Sequence, residues 1–178
     1  MNICVFCSQY DVAEKYKKAA ETLARLIGER GHTLVFGGCN TGLMGVVAET
    51  AKKGGARVVG VIRERIKDKA YKDADEMIVV KDSSEMNRGL IERADALVVL
   101  VGGIGTLNEL TEVLRMVKNG LLQKPLVVVN TNDFYENFKL QLQKMHEENF
   151  LTEEVMSSVH FAETPEQALA YFESVSGR

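Results

Sequence analysis

Gly37-Gly38-Cys39-Asn40-Thr41-Gly42-Leu43-Met44-Gly45 and Gly102-Gly103-Ile104-Gly105-Thr106-Leu107-Asn108-Glu109 are the two stretches best suited to holding an anion. Each follows a short apolar run, ending at Phe36 and at Val101, and each leads into a helical pattern. Glycine lets the chain turn sharply and lets a ligand approach the backbone. A helix start adds unpaired N–H groups and the positive end of the helix dipole. Together these make a phosphate site, and open α/β sheets bind ligands beyond the carboxyl ends of their strands. Standard nucleotide fingerprints do not fit: neither loop reads G-x-G-x-x-G, and Leu43-Met44 stand where a P-loop has Lys-Ser/Thr. A hydride-transfer enzyme and an NTPase are therefore disfavoured. Glu109 has two readings. Thr106-x-x-Glu109 matches a capping box, in which the carboxylate satisfies a backbone N–H. A carboxylate in the first turn beside a phosphate loop is also placed to reach a sugar ring.

The other chemistry-bearing residues are less promising. Cys4 and Cys7 form C-x-x-C, but inside an apolar run whose period-two geometry sends them to opposite faces, whereas a redox pair opens a helix. No second C-x-x-C or H-x₃₋₅-H completes a zinc site, and His32, His146 and His160 are far apart. Buried strand thiols are expected, with no metal and no organic cofactor.

The elements that must position the loops alternate. Short apolar runs at residues 3–7, 33–36, 57–62, 76–80, 96–101, 126–130 and, more weakly, 159–162 lack clean polar alternation, as strands covered on both faces do. Helical patterns fill the gaps at 12–30, 41–54, 84–93, 106–119, 133–149 and 165–174. In the first, Tyr16, Ala20, Leu23 and Ile27 form one stripe, and Gly31 supplies a C-terminal stop. Thr164-Pro165-Glu166-Gln167 is a second capping-box pattern, with proline at the first helical position. The basic stretch 63–72 reads as a surface loop or a lid over a site. The expectation is an α/β fold: one three-layer α/β/α Rossmann-like domain over 1–178, with a parallel sheet of about six or seven strands.

Composition excludes further classes. The 178 residues carry 22 basic and 25 acidic side chains, a net charge of −3, which argues against a nucleic-acid partner. No apolar run approaches the length of a membrane span. The opening residues lack a basic lead and read as a strand, so a cytoplasmic protein is expected. The chain is also shorter than the folds that usually hold pyridoxal phosphate.

Residues 37–45 resemble the G-G-G-x-x-G-L-M-G motif of the LOG family of cytokinin riboside 5′-monophosphate phosphoribohydrolases. Residues 102–109 resemble that family's P-G-G-x-G-T-x-x-E, and the similarity runs from Ile3-Cys4-Val5-Phe6-Cys7-Ser8 to Thr164-Pro165-Glu166. The resemblance implies hydrolysis of the N-glycosidic bond of a purine or cytokinin nucleoside 5′-monophosphate, without metal, by a homodimer or higher homo-oligomer. It implies a 5′-phosphate held by Gly102, Gly103, Ile104, Gly105 and Thr106, a ribose-phosphate cleft lined by Ser8 and Gly38, and catalysis by Glu109 with an arginine. For that arginine the family has M-x-x-R-K, where this chain reads Glu85-Met86-Asn87-Arg88-Gly89. Arg88 is the candidate, although ungapped counting back from Gly102 puts Met86 in its place. Val101 and Cys39 also replace a family proline and glycine. LOG-like nucleotide or molybdenum-cofactor carriers resemble Asn87 and residues 103–109 nearly as well, so a binding protein without turnover is the alternative. Met86 and Asn87 are candidate substrate contacts in either case. Leu114, Met116, Val117, Leu121 and Leu122 are the apolar residues available for self-association, or for ordinary core.

Overall fold

Hydrophobic runs with no polar face need cover on both sides, and the fold supplies it. The computed structural model describes residues 1–176, so the last two positions of the expected 1–178 domain lie outside the described residues. The strands are β1 (Asn2–Phe6), β2 (Thr33–Phe36), β3 (Arg57–Arg63), β4 (Glu76–Val80), β5 (Ala96–Val99), β6 (Leu126–Val129) and β7 (Val159–Ala162). All pair in parallel in one sheet of order β4-β3-β2-β1-β5-β6-β7. The helices are α1 (Glu14–Glu29), α2 (Gly42–Lys53), α3 (Ser83–Arg93), α4 (Ile104–Lys118), α5 (Glu136–Glu147), α6 (Glu153–Ser158) and α7 (Pro165–Ser176).

Side chains alternate across each strand. Ile3 and Val5 of β1 therefore join one core, with Leu23 and Ile27 of α1, Val47 of α2 and Phe172 of α7. Cys4 and Phe6 join the other, with Leu90 of α3 and Leu110 and Val113 of α4. The chain winds outward from β1 to β4, then crosses back through α3 to place β5 on the other flank of β1. The strand order thus reverses between β1 and β5, the place where a doubly wound sheet opens a crevice at its carboxyl edge.

Seven strands stand where six or seven were expected. Gly31 ends α1 at φ 68°, as its position suggested. Four local differences have physical causes. α5 starts at Glu136, later than expected, because Asn132 and Asp133 take positive φ and Asn130 Oδ1 accepts the Tyr135 N–H at 2.6 Å. The six-residue α6 is too short for a helical stripe to show in the sequence. Residues 64–69 of the basic stretch form 3₁₀ turns, moored where Asn40 N–H donates to the Lys69 carbonyl at 2.8 Å and Tyr71 N–H to that of Gly38 at 2.8 Å. α4 starts at Ile104, two residues before the expected Thr106, and this changes the reading of the site.

Candidate active site

The crevice between β1 and β5 is built around Ser8. Its N–H donates to the Val101 carbonyl at 3.2 Å, and its carbonyl accepts the Met44 N–H at 3.2 Å, so one residue ties the second glycine loop to the start of α2. Its hydroxyl accepts the Tyr10 N–H at 3.0 Å. Gly42 closes the first loop against this turn: at φ 56°, a Cβ there would lie 2.2 Å from the Tyr10 carbonyl oxygen. The second loop is as tightly fitted, because a Cβ on Gly102 would lie 2.1 Å from Thr106 Oγ1. Beneath it, the buried Tyr135 hydroxyl donates to the Leu100 carbonyl at 2.9 Å.

These elements enclose a cavity of about 450 Å³, within the range of small-molecule sites. Ser8, Met86, Gly103, Ile104, Gly105, Thr106 and Glu109 line it. No side chain caps α4 at Gly103, and the helix's first backbone bond runs from Leu107 N–H to the Gly103 carbonyl at 3.0 Å. The amides ahead of Leu107 therefore have no intrahelical partner, and an anion at the cavity wall would meet them together with the helix dipole.

The early helix start excludes the capping reading of Glu109. With Gly103 at the cap, Thr106 lies inside the first turn, and the capping box does not form. The Glu109 side chain is 5% exposed, with no hydrogen-bond or salt-bridge partner among the described residues. Burial raises its carboxyl from an ordinary 4.5 to about 8. It is the group whose environment most favours proton exchange near neutral pH.

Other expected site residues are arranged differently. Arg88 and Asn87 do not line the Glu109 cavity. They border a second, larger one of about 560 Å³ between α3 and α4, with Glu92, Glu112 and Arg115. Met86 faces Glu109's cavity instead, because two residues turn a helix by about 200°. Ungapped counting had pointed to the same position. Gly38 and Gly102 shape the loops without lining the cavity: Gly38 has φ 74°, and a Cβ on it would lie 2.8 Å from Ile62 Cβ. Leu114, Val117 and Leu122 are core, whereas Leu121 is exposed on the second cavity's rim.

Cys4 and Cys7 are buried in opposite cores, and burial pushes both thiols up. His160 stacks on Tyr171. Among the described residues, no helix is long and apolar enough to cross a membrane.

Arg63 is the charged cavity residue that sequence reasoning missed. The last residue of β3, it lines Glu109's cavity beside Ile66 of the 3₁₀ segment. The available signal was the basic stretch itself, read as a loop or lid; which of its cations turns inward depends on where β3 ends.

Residues 44–172 match the family model described as possible lysine decarboxylase. A probable cytokinin riboside 5′-monophosphate phosphoribohydrolase of Oryza sativa subsp. japonica is 32% identical over 99% of this chain and 72% of its own length. The cytokinin riboside 5′-monophosphate phosphoribohydrolase of Rhodococcoides fascians is 34% identical over 97% of this chain and 89% of its own. In fold, the molybdenum cofactor carrier protein of Chlamydomonas reinhardtii superposes with TM-score 0.76 at 23% identity, covering 99% of this chain and 98% of its own. By the family-model match over most of its length and by relatives 32% and 34% identical over nearly all of it, the chain belongs to the LOG family.

Proposed function

We propose that the protein hydrolyses the N-glycosidic bond of a purine nucleoside 5′-monophosphate, giving free base and ribose 5-phosphate. The observation that carries this reading is the unpartnered Glu109 carboxyl, set one turn behind the uncapped start of α4 in the same cavity. The 5′-phosphate docks on the amides of residues 103–106, which brings the ribose toward Glu109. As the C1′–N bond breaks, its electron pair leaves with the base and positive charge develops on the sugar. The Glu109 carboxylate stabilises that charge and takes a proton from the water that adds to C1′. The proton taken up by Glu109 passes through solvent water to the leaving base nitrogen, which restores the carboxylate and closes the balance: one water in, one base and one ribose 5-phosphate out. No step calls for a metal or organic cofactor. A homodimer belongs to the same reading, with Leu121 as an exposed apolar contact; light scattering in solution gives the mass that checks it.

A second reading has its own support. Met86 faces the cavity where the family motif has arginine, and Arg88 lies on the other one. A protein that binds a nucleotide or phosphorylated cofactor without cleaving it fits that substitution. Chromatography of AMP, GMP, IMP, CMP and UMP, and of the matching nucleosides, after incubation with the protein separates the two. Hydrolysis predicts free base from a purine monophosphate and much less from its nucleoside. Tight binding with no base from any nucleotide favours the carrier reading.

A further inference from the structure

We propose that the basic stretch 63–72 is an electrostatic funnel: it draws the anionic nucleotide to the cavity from a distance and does not hold its phosphate once bound. The inference rests on the phosphate placement just given. The stretch carries five cations, Arg63, Arg65, Lys67, Lys69 and Lys72, against two carboxylates, Glu64 and Asp68. The whole chain has 22 cations against 25 carboxylates, so elsewhere carboxylates prevail. A nucleoside monophosphate carries about two negative charges above pH 7. It therefore approaches a chain whose remaining surface is acidic on balance.

Backbone links moor the stretch beside the cavity. Asn40 N–H donates to the Lys69 carbonyl and Tyr71 N–H to that of Gly38, while Cys39 and Ala70 form an isolated bridge. Arg63 and Ile66 line the cavity, as does Cys39. Lys67 pairs with Glu64 at 3.3 Å. Arg65, Lys69 and Lys72 are exposed, with no salt-bridge partner among the described residues. The charges of Lys69 and Arg63 reach Cys39 in the cavity wall, where they partly oppose the effect of burial on its thiol.

Their action on the phosphate is through the field, not by contact. The stretch hangs from β3, and β2 and β1 separate β3 from β5, so its start stands about 14 Å from that of α4 at ordinary strand spacing. Arg63 is the one cation among the described lining residues, and its Nη1 donates to Ser83 Oγ at 3.3 Å. The docking end therefore offers helix amides without a cation in contact. The Debye length is about 30 Å at ~0.01 M salt, about 8 Å at ~0.15 M and about 3 Å at ~1 M. An attraction across 14 Å is thus strong in dilute salt and gone in concentrated salt. Charges placed this way set the association rate and its salt dependence, and leave dissociation nearly alone.

Stopped-flow binding of etheno-AMP, a fluorescent analogue of AMP, to the Glu109→Gln protein reads the two rates separately and without turnover. Adding Arg65→Gln, Lys69→Gln and Lys72→Gln together should slow association about five-fold at ~0.01 M salt. The slowing should shrink to less than about two-fold at ~1 M, with dissociation unchanged within about two-fold. Etheno-adenosine, which lacks the phosphate, should associate equally with both proteins, which also reports an intact site. Lys53, Lys118 and Lys144 are exposed cations in the last turns of α2, α4 and α5, at the opposite edge of the sheet. Changing these three to Gln removes the same charge and should slow association by less than about two-fold. Slowing that persists at ~1 M salt overturns the proposal, as does an effect confined to dissociation or an equal effect from the opposite-edge set. A protein that binds neither etheno-AMP nor AMP overturns both this proposal and the hydrolase reading. Salt-sensitive capture by a wild-type protein that releases no base would leave the funnel standing and remove the hydrolase reading. Base release with association indifferent to these charges would do the reverse.

Discussion

The same four-residue pattern occurs at the starts of two helices, and it does different things there. At α7, Gln167 N–H donates to Thr164 Oγ1 at 3.3 Å, and Gln167 Oε1 accepts the Glu163 N–H at 2.9 Å, so the box closes on itself. At α4, Gly103 takes the cap position and Thr106 and Glu109 fall inside the helix. Two orphan donors are satisfied in the first case; in the second, donors and a buried carboxyl are left open on one cavity. Glycine causes the difference. With no side chain to cap it, Gly103 leaves the amides for a ligand, and Gly102 lets Thr106 close down where a Cβ would collide. The helix start that looks incomplete beside its counterpart is the one that leaves its amides open on a cavity.

The largest expected effect separates the two starts by activity. Glu109→Gln should lower base release by about 10²–10⁴-fold, the usual contribution of a positioned acid or base. Thr164→Ala should leave turnover unchanged while lowering stability by about 1 kcal/mol in chemical denaturation.

Stability should respond in opposite directions. The folded protein holds the Glu109 proton up to about pH 8, whereas the unfolded chain releases it near 4.5. Below 4.5 both states are protonated. Between the two values the folded state binds more protons, so this group's favourable contribution is lost as pH rises and levels off above 8. Denaturation at pH 9 should therefore find Glu109→Gln more stable than wild type, by on the order of a few kcal/mol. No gain at pH 9 would mean the carboxyl is not desolvated as described.

Gly102→Ala sharpens the comparison from the backbone side. Its Cβ must displace Thr106, so a loss of about 1–3 kcal/mol in stability is expected, together with a raised KM for the nucleotide. The smallest effect belongs to Arg88→Ala. Because that side chain borders the other cavity, kcat/KM should change by less than about two-fold; a loss comparable to that of Glu109→Gln would return it to the site.

Strand positions were legible because buried parallel strands are nearly continuous apolar runs, and helices such as α1 and α7 because a stripe with a glycine stop or a capping box marks them. The second glycine loop and Glu109 were legible as candidates because a strand-end glycine loop running into a helix, with a carboxylate close behind, is a recognisable anion-site pattern. The side of α3 that Arg88 occupies was not legible because the motif names residue types, while a two-residue register decides which cavity they border. Arg63 was hidden because its place at the cavity depends on strand order: β3 is distant in sequence from β5 and Glu109, and only the sheet brings its end to their cavity.

The pH dependence of kcat/KM for base release, measured on wild type beside Glu109→Gln, tests the central claim most directly. If the ionised Glu109 carboxylate drives hydrolysis, the wild-type rate should climb with pH and level off above about 8, distinct from the substrate phosphate's own ionisation near 6. The Gln variant should be slow throughout, without that limb. A wild-type profile flat across pH 6 to 9, or a limb at 8 that survives in the variant, would contradict the account.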